Sequence, residues 1–183
     1  MKNYPLLKSP EGSIKLLHHS HSDCPSCSEC EGKMTHILSI DGSLSSLAKT
    51  EGRNLEIYQC CNNPGMCDDW DPASGANACL LSSETSLNSK TEDYITCDNT
   101  KLIESFEDFC ETMESNDSCV GVTGDEPIWM QDDETPNCSC NKKMTFVGQI
   151  EEAASDDFNF GGDGCAYIFD CVSCKKAKFL WQC

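Results

Sequence analysis

The sequence predicts an α+β, strand-rich protein built from two pseudo-repeated antiparallel units and one main helix. Three observations predict it. First, "CSECEGKMTHILSI" at 27–40 is echoed 110 positions later by "NCSCNKKMTFVGQI" at 137–150: a close cysteine pair, Met-Thr, then an alternating apolar run ending in Ile. Second, Met34 precedes Cys60 by 26 residues and Met144 precedes Cys171 by 27, and both cysteines close similar runs, "EIYQC" and "AYIFDC". Third, only residues 99 to about 114 carry a helical period, with Leu102, Phe106, Phe109 and Met113 on one face. The division that follows is 1–98 for the first cysteine-rich unit and 99–183 for the helix plus the second, packed as one globular body.

Taken in order, the first twenty residues show no clear period and read as an irregular lead-in with one short strand around "SIKLL". "MTHILSI" and "NLEIYQC" alternate apolar and polar residues as strands do, separated by a polar, Gly-containing interval. "CNNPGMCDDWDPASGANACLL" is broken into turns by Asn-Pro-Gly and Ser-Gly and ends on a short apolar strand. The helix follows, with Asn99 or Thr100 as its cap. "TGDEPIWMQDDETPN" reads as a turn, a short strand around Trp129 and an acidic loop; "KMTFVGQI", "CAYIFDC" and "AKFLWQC" finish the chain as strands.

Composition sets the physical problem. The 38% apolar content includes 16 cysteines, and without them only about 30% remains, thin for a core in 183 residues. Something besides apolar burial must hold the units. Secreted disulfides are one solution, but the N-terminal stretch lacks the apolar segment and small-residue cleavage site of a signal peptide. No run is long enough to span a bilayer. The expectation is therefore a cytoplasmic protein whose thiols are free or metal-bound. With 31 acidic against 13 basic residues the formal charge is −18, which repels nucleic acid and anionic membrane and steers toward a basic protein partner.

The cysteine spacing points to zinc. Cys27 and Cys30 form a near pair and Cys60 with Cys67 a far pair; Cys138 and Cys140 with Cys171 and Cys174 repeat the arrangement. A Cys-x-x-Cys turn sets two thiolates on one side of the backbone, and two such knuckles joined by pairing strands close a tetrahedral, structural site. Each unit is zinc-ribbon-like in this respect. Cys138-x-Cys140 is tighter than the usual knuckle and Cys60 to Cys67 looser. Cys24 can stand in for Cys27 or Cys30, and Cys61 for Cys60. The unpaired Cys79, Cys97, Cys110, Cys119, Cys165 and Cys183 read as buried free thiols.

The remaining motifs are weaker. "HHSHSDC" reads as a solvated loop, because no other histidine pattern completes a metal site. Asp68, Asp69 and Asp71 lack the spacing of a calcium loop and read as surface charge. "FGGDGC" lacks the lysine and helix of a phosphate cradle and reads as a hairpin turn. Lys175, Lys176 and Lys178 make a small basic patch. No paired acid-base or nucleophilic groups emerge, so binding is expected in place of catalysis. The competing reading is a thiol/disulfide oxidoreductase, against which Cys171-x-x-Cys174 lies between two strands and not at a strand-to-helix junction.

The second unit resembles the bacterial YwqG-like family of unknown function. Pro127, Trp129 and Gln131, the cysteine pair before Met144, "DFNFGGDG" and the terminal "KFLWQ" carry the resemblance, and "QCCNNPGMCDDWDPASGANACLL" extends it to the first unit. That family is similar, more distantly, to the programmed cell death protein 2 group, implicated as chaperones for a ribosomal protein, and has relatives among proposed toxin-immunity proteins. The first unit departs from the pattern in lacking a Pro-x-Trp-x-Gln stretch. The resemblance implies a chaperone-like or immunity-like module that recognises a basic or exposed polypeptide. An acidic rim around Trp70, Trp129 and Trp181 is the expected surface, with core packing the other use for those indoles.

Overall fold

The computed structural model describes residues 2–20, 22–44, 53–82 and 93–183. His21 and most of the polar interval between the "MTHILSI" and "NLEIYQC" strands lie outside the described residues. Among the described residues ten strands form one antiparallel sheet: β1 (Asn3–Ser9), β2 (Ile14–His19), β3 (Thr35–Ile40), β4 (Asn54–Gln59), β5 (Asn77–Ser82), β6 (Tyr94–Cys97), β7 (Cys119–Gly124), β8 (Thr145–Glu151), β9 (Cys165–Cys171) and β10 (Lys176–Gln182). Among the described residues one α-helix, α1 (Phe106–Ser115), lies between β6 and β7. The α+β, strand-rich class is what the sequence predicts.

The strand order is β10-β9-β8-β7-β1-β6-β2-β3-β4-β5, symmetric about the β1–β6 seam. The meander β2 to β5 on one side corresponds to β7 to β10 on the other. β1 and β6, at the two ends of the 1–98 unit, lie together at the centre of the sheet. β1 pairs with β7, while β6 pairs with β2. β1 and β6 pair with each other, Leu6 opposite Cys97 and Ser9 opposite Tyr94. The 98/99 boundary therefore falls inside a single hydrogen-bonded sheet.

The two outermost strands, β5 and β10, come into contact, so the sheet nearly closes on itself. The main core inside it draws on both halves: Leu6, Ile14, Leu38 and Leu55 pack in one cluster with Val147, Ile168 and Phe179. A second cluster lies under α1 and the 128–129 segment, and a third, small one lies beneath the first cysteine group. The thin apolar content is thus spread over three clusters, two of which contain cysteines of the predicted metal sites.

Three local readings change. The lead-in is not irregular: β1 is a central strand, its Pro5 opposite Val122 and a register shift between Leu6 and Leu7. A proline reads as a strand breaker because it has no ladder donor, but its carbonyl still accepts from Asp98 N–H at 3.0 Å. The helix begins at Phe106, not at 99, because Ser105 and Asp108 form a capping box, Asp108 N–H to Ser105 Oγ and Ser105 N–H to Asp108 Oδ2, both 3.1 Å. Asn99 and Thr100 do not cap it, and Leu102 precedes it; Asp98 instead accepts from Thr100 N–H and hydroxyl.

Trp129 does not lie in a strand. The segment around it is pinned by side chains: Ile128 N–H donates to Gln149 Oε1 at 2.9 Å, Met130 N–H to Tyr167 Oη at 3.0 Å and Gln131 N–H to Gln182 Oε1 at 3.1 Å. The indole packs on Tyr167 and Phe169, with ring centroids 4.5 and 5.9 Å away. The half-buried indole thus packs mainly against the core.

Candidate metal centres

Each near pair is presented by the same backbone device. In the first unit Pro25 C=O accepts from Met34 N–H at 2.9 Å, Cys27 N–H donates to Gly32 C=O at 2.8 Å, and Glu31 N–H returns to Cys27 C=O at 3.0 Å. In the second, Pro136 accepts from Met144 at 2.9 Å, Cys138 donates to Lys142 at 2.9 Å, and Asn141 returns to Cys138 at 2.9 Å. Glu31 and Asn141 both adopt left-handed backbone, φ 63° and 60°. The tighter Cys138-x-Cys140 spacing is therefore the same knuckle with one residue fewer between matched hydrogen bonds.

The far pairs follow β4 and β9. Cys60 leaves the end of β4 with its N–H held by Ala76 C=O at 2.9 Å, and a longer loop brings back Cys67. Cys171 ends β9, and a single 3-10 turn, Val172–Cys174, closed by Lys175 in the left-handed region, presents Cys174. Because β3 pairs with β4 and β8 with β9, near and far pairs meet at the end of one hairpin in each unit.

The result is two sulfur tetrads, Cys27/Cys30/Cys60/Cys67 and Cys138/Cys140/Cys171/Cys174, the Sγ atoms in each lying within 4.8 Å of one another. Either tetrad can hold a metal ion. Neither Cys24 nor Cys61 joins one; the Cys61 thiol points to Gln59 C=O, 3.8 Å away. The sulfur–sulfur distances fit a metal ion: Cys30 and Cys60 sulfurs are 3.6 Å apart and Cys140 and Cys171 sulfurs 3.9 Å. A tetrahedron with metal–sulfur bonds of about 2.3 Å has edges of about 3.8 Å. A disulfide would need about 2.05 Å, and all sixteen cysteines are unbridged.

The donors around the sulfurs favour thiolates. Glu29 N–H donates to Cys27 Sγ at 3.4 Å, and the Asn62 side-chain amide to Cys60 Sγ at 3.4 Å and Cys30 Sγ at 3.7 Å while also anchoring on Lys33 C=O at 2.9 Å. Gly32 leaves room for that amide, since a Cβ there would stand 2.6 Å from Asn62 Nδ2. The Gly32 N–H lowers the Cys30 thiol to about 7, and the Cys140 N–H lowers Cys138 to about 6. In the same tetrads burial pushes Cys67 and Cys60 up, and donation to Cys140 raises Cys174 to about 12. The sulfurs thus share protons unevenly, and a divalent cation would displace those protons.

Outside the tetrads, Cys79, Cys119 and Cys165 are buried as expected, Cys97 and Cys110 are half-buried, and Cys183 is exposed, contrary to its reading as a buried thiol. Burial raises Cys97 to about 11 and Cys165 well above its ordinary range, so these remain thiols. His18 and His19 end β2 and do not sit in a loop. His36 is buried with its Nε2 2.9 Å from the Glu56 carboxylate, and its ring stacks on Tyr58. The "FGGDGC" turn binds its own anion: Glu152 Oε2 accepts from Phe160, Gly162 and Gly164 N–H at 2.8, 3.1 and 3.3 Å.

Two clefts adjoin the tetrads at related places. One, between the second knuckle and β5, is lined by Leu80, Leu81 and the basic patch Lys175, Lys176 and Lys178. The other, between the loop of Cys60–Cys67 and the end of β10, brings together Trp70, Trp181 and three aspartates. Asp69 is not simple surface charge, since it is half-buried and accepts from Gln59 Nε2 at 2.6 Å. Sequence reasoning missed Asn62, Gln59 and this convergence, because the contributing segments lie up to about 120 residues apart. Among the described residues no helix is long and apolar enough to cross a membrane. No protein-family model and no curated protein matches the chain.

Proposed function

We propose that the protein is a zinc-stabilised, cytoplasmic binding module that recognises a basic polypeptide and catalyses no reaction. The observation that carries the metal assignment is the pair of all-sulfur tetrads with edges near 3.6–3.9 Å. Four thiolates suit zinc among the common divalent ions and leave no open coordination position, which favours a structural over a catalytic metal. Cys27, Cys30, Cys60 and Cys67 would hold one ion, and Cys138, Cys140, Cys171 and Cys174 the other. Zinc would supply cross-linking that the thin apolar core lacks, on the order of 10 kcal/mol per site in small units. Sixteen unbridged thiols are in keeping with a reducing compartment.

The binding half of the proposal is supported by charge and by resemblance. A net charge of −18 steers basic chains toward the surface and repels nucleic acid and anionic membrane. The resemblance to the YwqG-like family, and beyond it to the programmed cell death protein 2 group, favours a chaperone-like or immunity-like role over an enzyme. Titration of the zinc-loaded chain with an arginine- and lysine-rich polypeptide tests it: the reading requires saturable, salt-sensitive binding. Absence of such binding at low ionic strength would refute it.

A further inference from the structure

We infer that the cleft between the Cys60–Cys67 loop and the end of β10 is the receptor for an arginine side chain of the bound polypeptide. This rests on the proposed reading of the protein as a binder of basic chains and assigns that recognition to one place. The cleft has a volume of about 240 Å³. Among the described residues its ionisable lining, apart from His18 and the cysteines, consists of the carboxylates Asp68, Asp69 and Asp157, with no lysine or arginine. A phosphate or carboxylate ligand would be repelled; a cation would be held.

Gln59 narrows the chemistry. It is 2% exposed, and its Nε2 donates to Asp69 Oδ2 at 2.6 Å and Asn159 C=O at 2.8 Å. Both partners are acceptors, so the amide orientation is fixed and Oε1 is left buried with no donor among the described residues. A buried acceptor of this kind calls for an N–H from a ligand. Gln59 and Asp69 line the same cleft, and a planar group with several N–H donors is the chemistry that suits both.

The tryptophans decide between cations. Trp70 is 44% exposed and Trp181 half-buried, both in this lining. Guanidinium stacks on indole faces while its edge donates in-plane hydrogen bonds, which a compact ammonium does less well. A divalent ion gains nothing from indoles, and among the described residues only the two cysteine tetrads converge closely enough to share one. Trp181 packs on Phe160, ring centroids 6.4 Å apart, yet the repeat places no indole at the matching position. In β10 Trp181 lies opposite Ala166, and the matching β5 position, opposite Leu55, is Leu81. That residue lines the other cleft, where the charges are lysines. The duplicated scaffold has been fitted differently on its two sides.

The test is calorimetric and tryptophan-fluorescence titration of the zinc-loaded full chain with a tri-arginine peptide amide, a tri-lysine peptide amide and the tri-citrulline isostere. Wild type is expected to bind the arginine peptide with a change in emission, the lysine peptide more weakly and the citrulline peptide not measurably. Trp70→Ala, at an exposed position, and Asp69→Asn should each weaken arginine binding by about tenfold or more. Their zinc content and melting serve as folding controls. If both variants fold and bind as wild type does, attraction is a property of the whole acidic surface; the cleft assignment falls and the broader reading stands. If wild type binds neither cationic peptide nor the longer basic polypeptide, both fall. Displacement of the arginine peptide by calcium, with the same emission change, would make this a metal site and overturn the inference.

Discussion

The side-chain amide of Asn62 donates to the sulfur of Cys60 at 3.4 Å, and its position depends on Gly32 having no side chain. A donor to a metal-bound thiolate lowers the charge on sulfur and fixes its rotamer, and loss of such outer contacts weakens metal binding by about 10–100-fold. Asn62→Ala should therefore release metal from the first tetrad that much more readily in chelator competition, while the second tetrad, which Asn62 does not touch, keeps its affinity. Equal weakening at both sites would contradict this assignment.

Cys138→Ser should disrupt the whole chain and not merely its second half. β1 lies between β6 and β7, and the main core mixes Leu55 with Phe179, so the halves share hydrogen bonds and packing. Amide hydrogen exchange is the direct check: β3 and β4, remote from the substituted ligand, should lose protection together with β8 and β9. Retained protection in β3 and β4 would show that the units fold independently.

Glu152→Ala should destabilise by about 1–3 kcal/mol in urea denaturation, since three backbone N–H groups of the 160–164 turn lose a shared carboxylate acceptor. The turn leads into β9 and also presents Asn159 to Gln59, so arginine-peptide affinity should fall as well.

Glu151 makes stability depend on pH in a defined direction. Burial raises its carboxyl above the ordinary value, against partial relief from the Gln149 amide at 3.2 Å. The native state therefore holds this proton more tightly than the unfolded chain, whose glutamates titrate near about 4.3. Stability from this group is full at low pH and is lost as pH rises through the folded value. Glu151→Gln should melt higher than wild type at neutral pH, with the difference shrinking as pH falls toward the unfolded glutamate value in a melting series. A difference that grows on acidification would reverse the sign and contradict it.

Much of this was legible in the chain because the cysteines repeat with the strands that carry them. Met34 and Met144 hold the same position after the same knuckle, and the spacing to Cys60 and Cys171 marks the returning strand. The central strands were harder. β1 carries Pro5, whose suitability depends on a pairing between units that local pattern cannot reveal. β6 has only four residues, and β7, "CVGVTG", is buried at every position and so shows no alternation. The helix start was misplaced because Ser105 and Asp108 outcompete the earlier candidate caps. The acidic cleft is assembled from residues near 59–70, 157–161 and 181, whose meeting depends on contact between strands at opposite ends of the sheet.

Metal content of the native protein, measured by elemental analysis alongside a count of alkylatable thiols before and after denaturation, tests the two-tetrad account most directly. It predicts two zinc ions per chain, with the eight tetrad thiols shielded until the chain unfolds. A cooperatively folded chain that carries no metal, or one whose tetrad sulfurs are joined as disulfides, would contradict it.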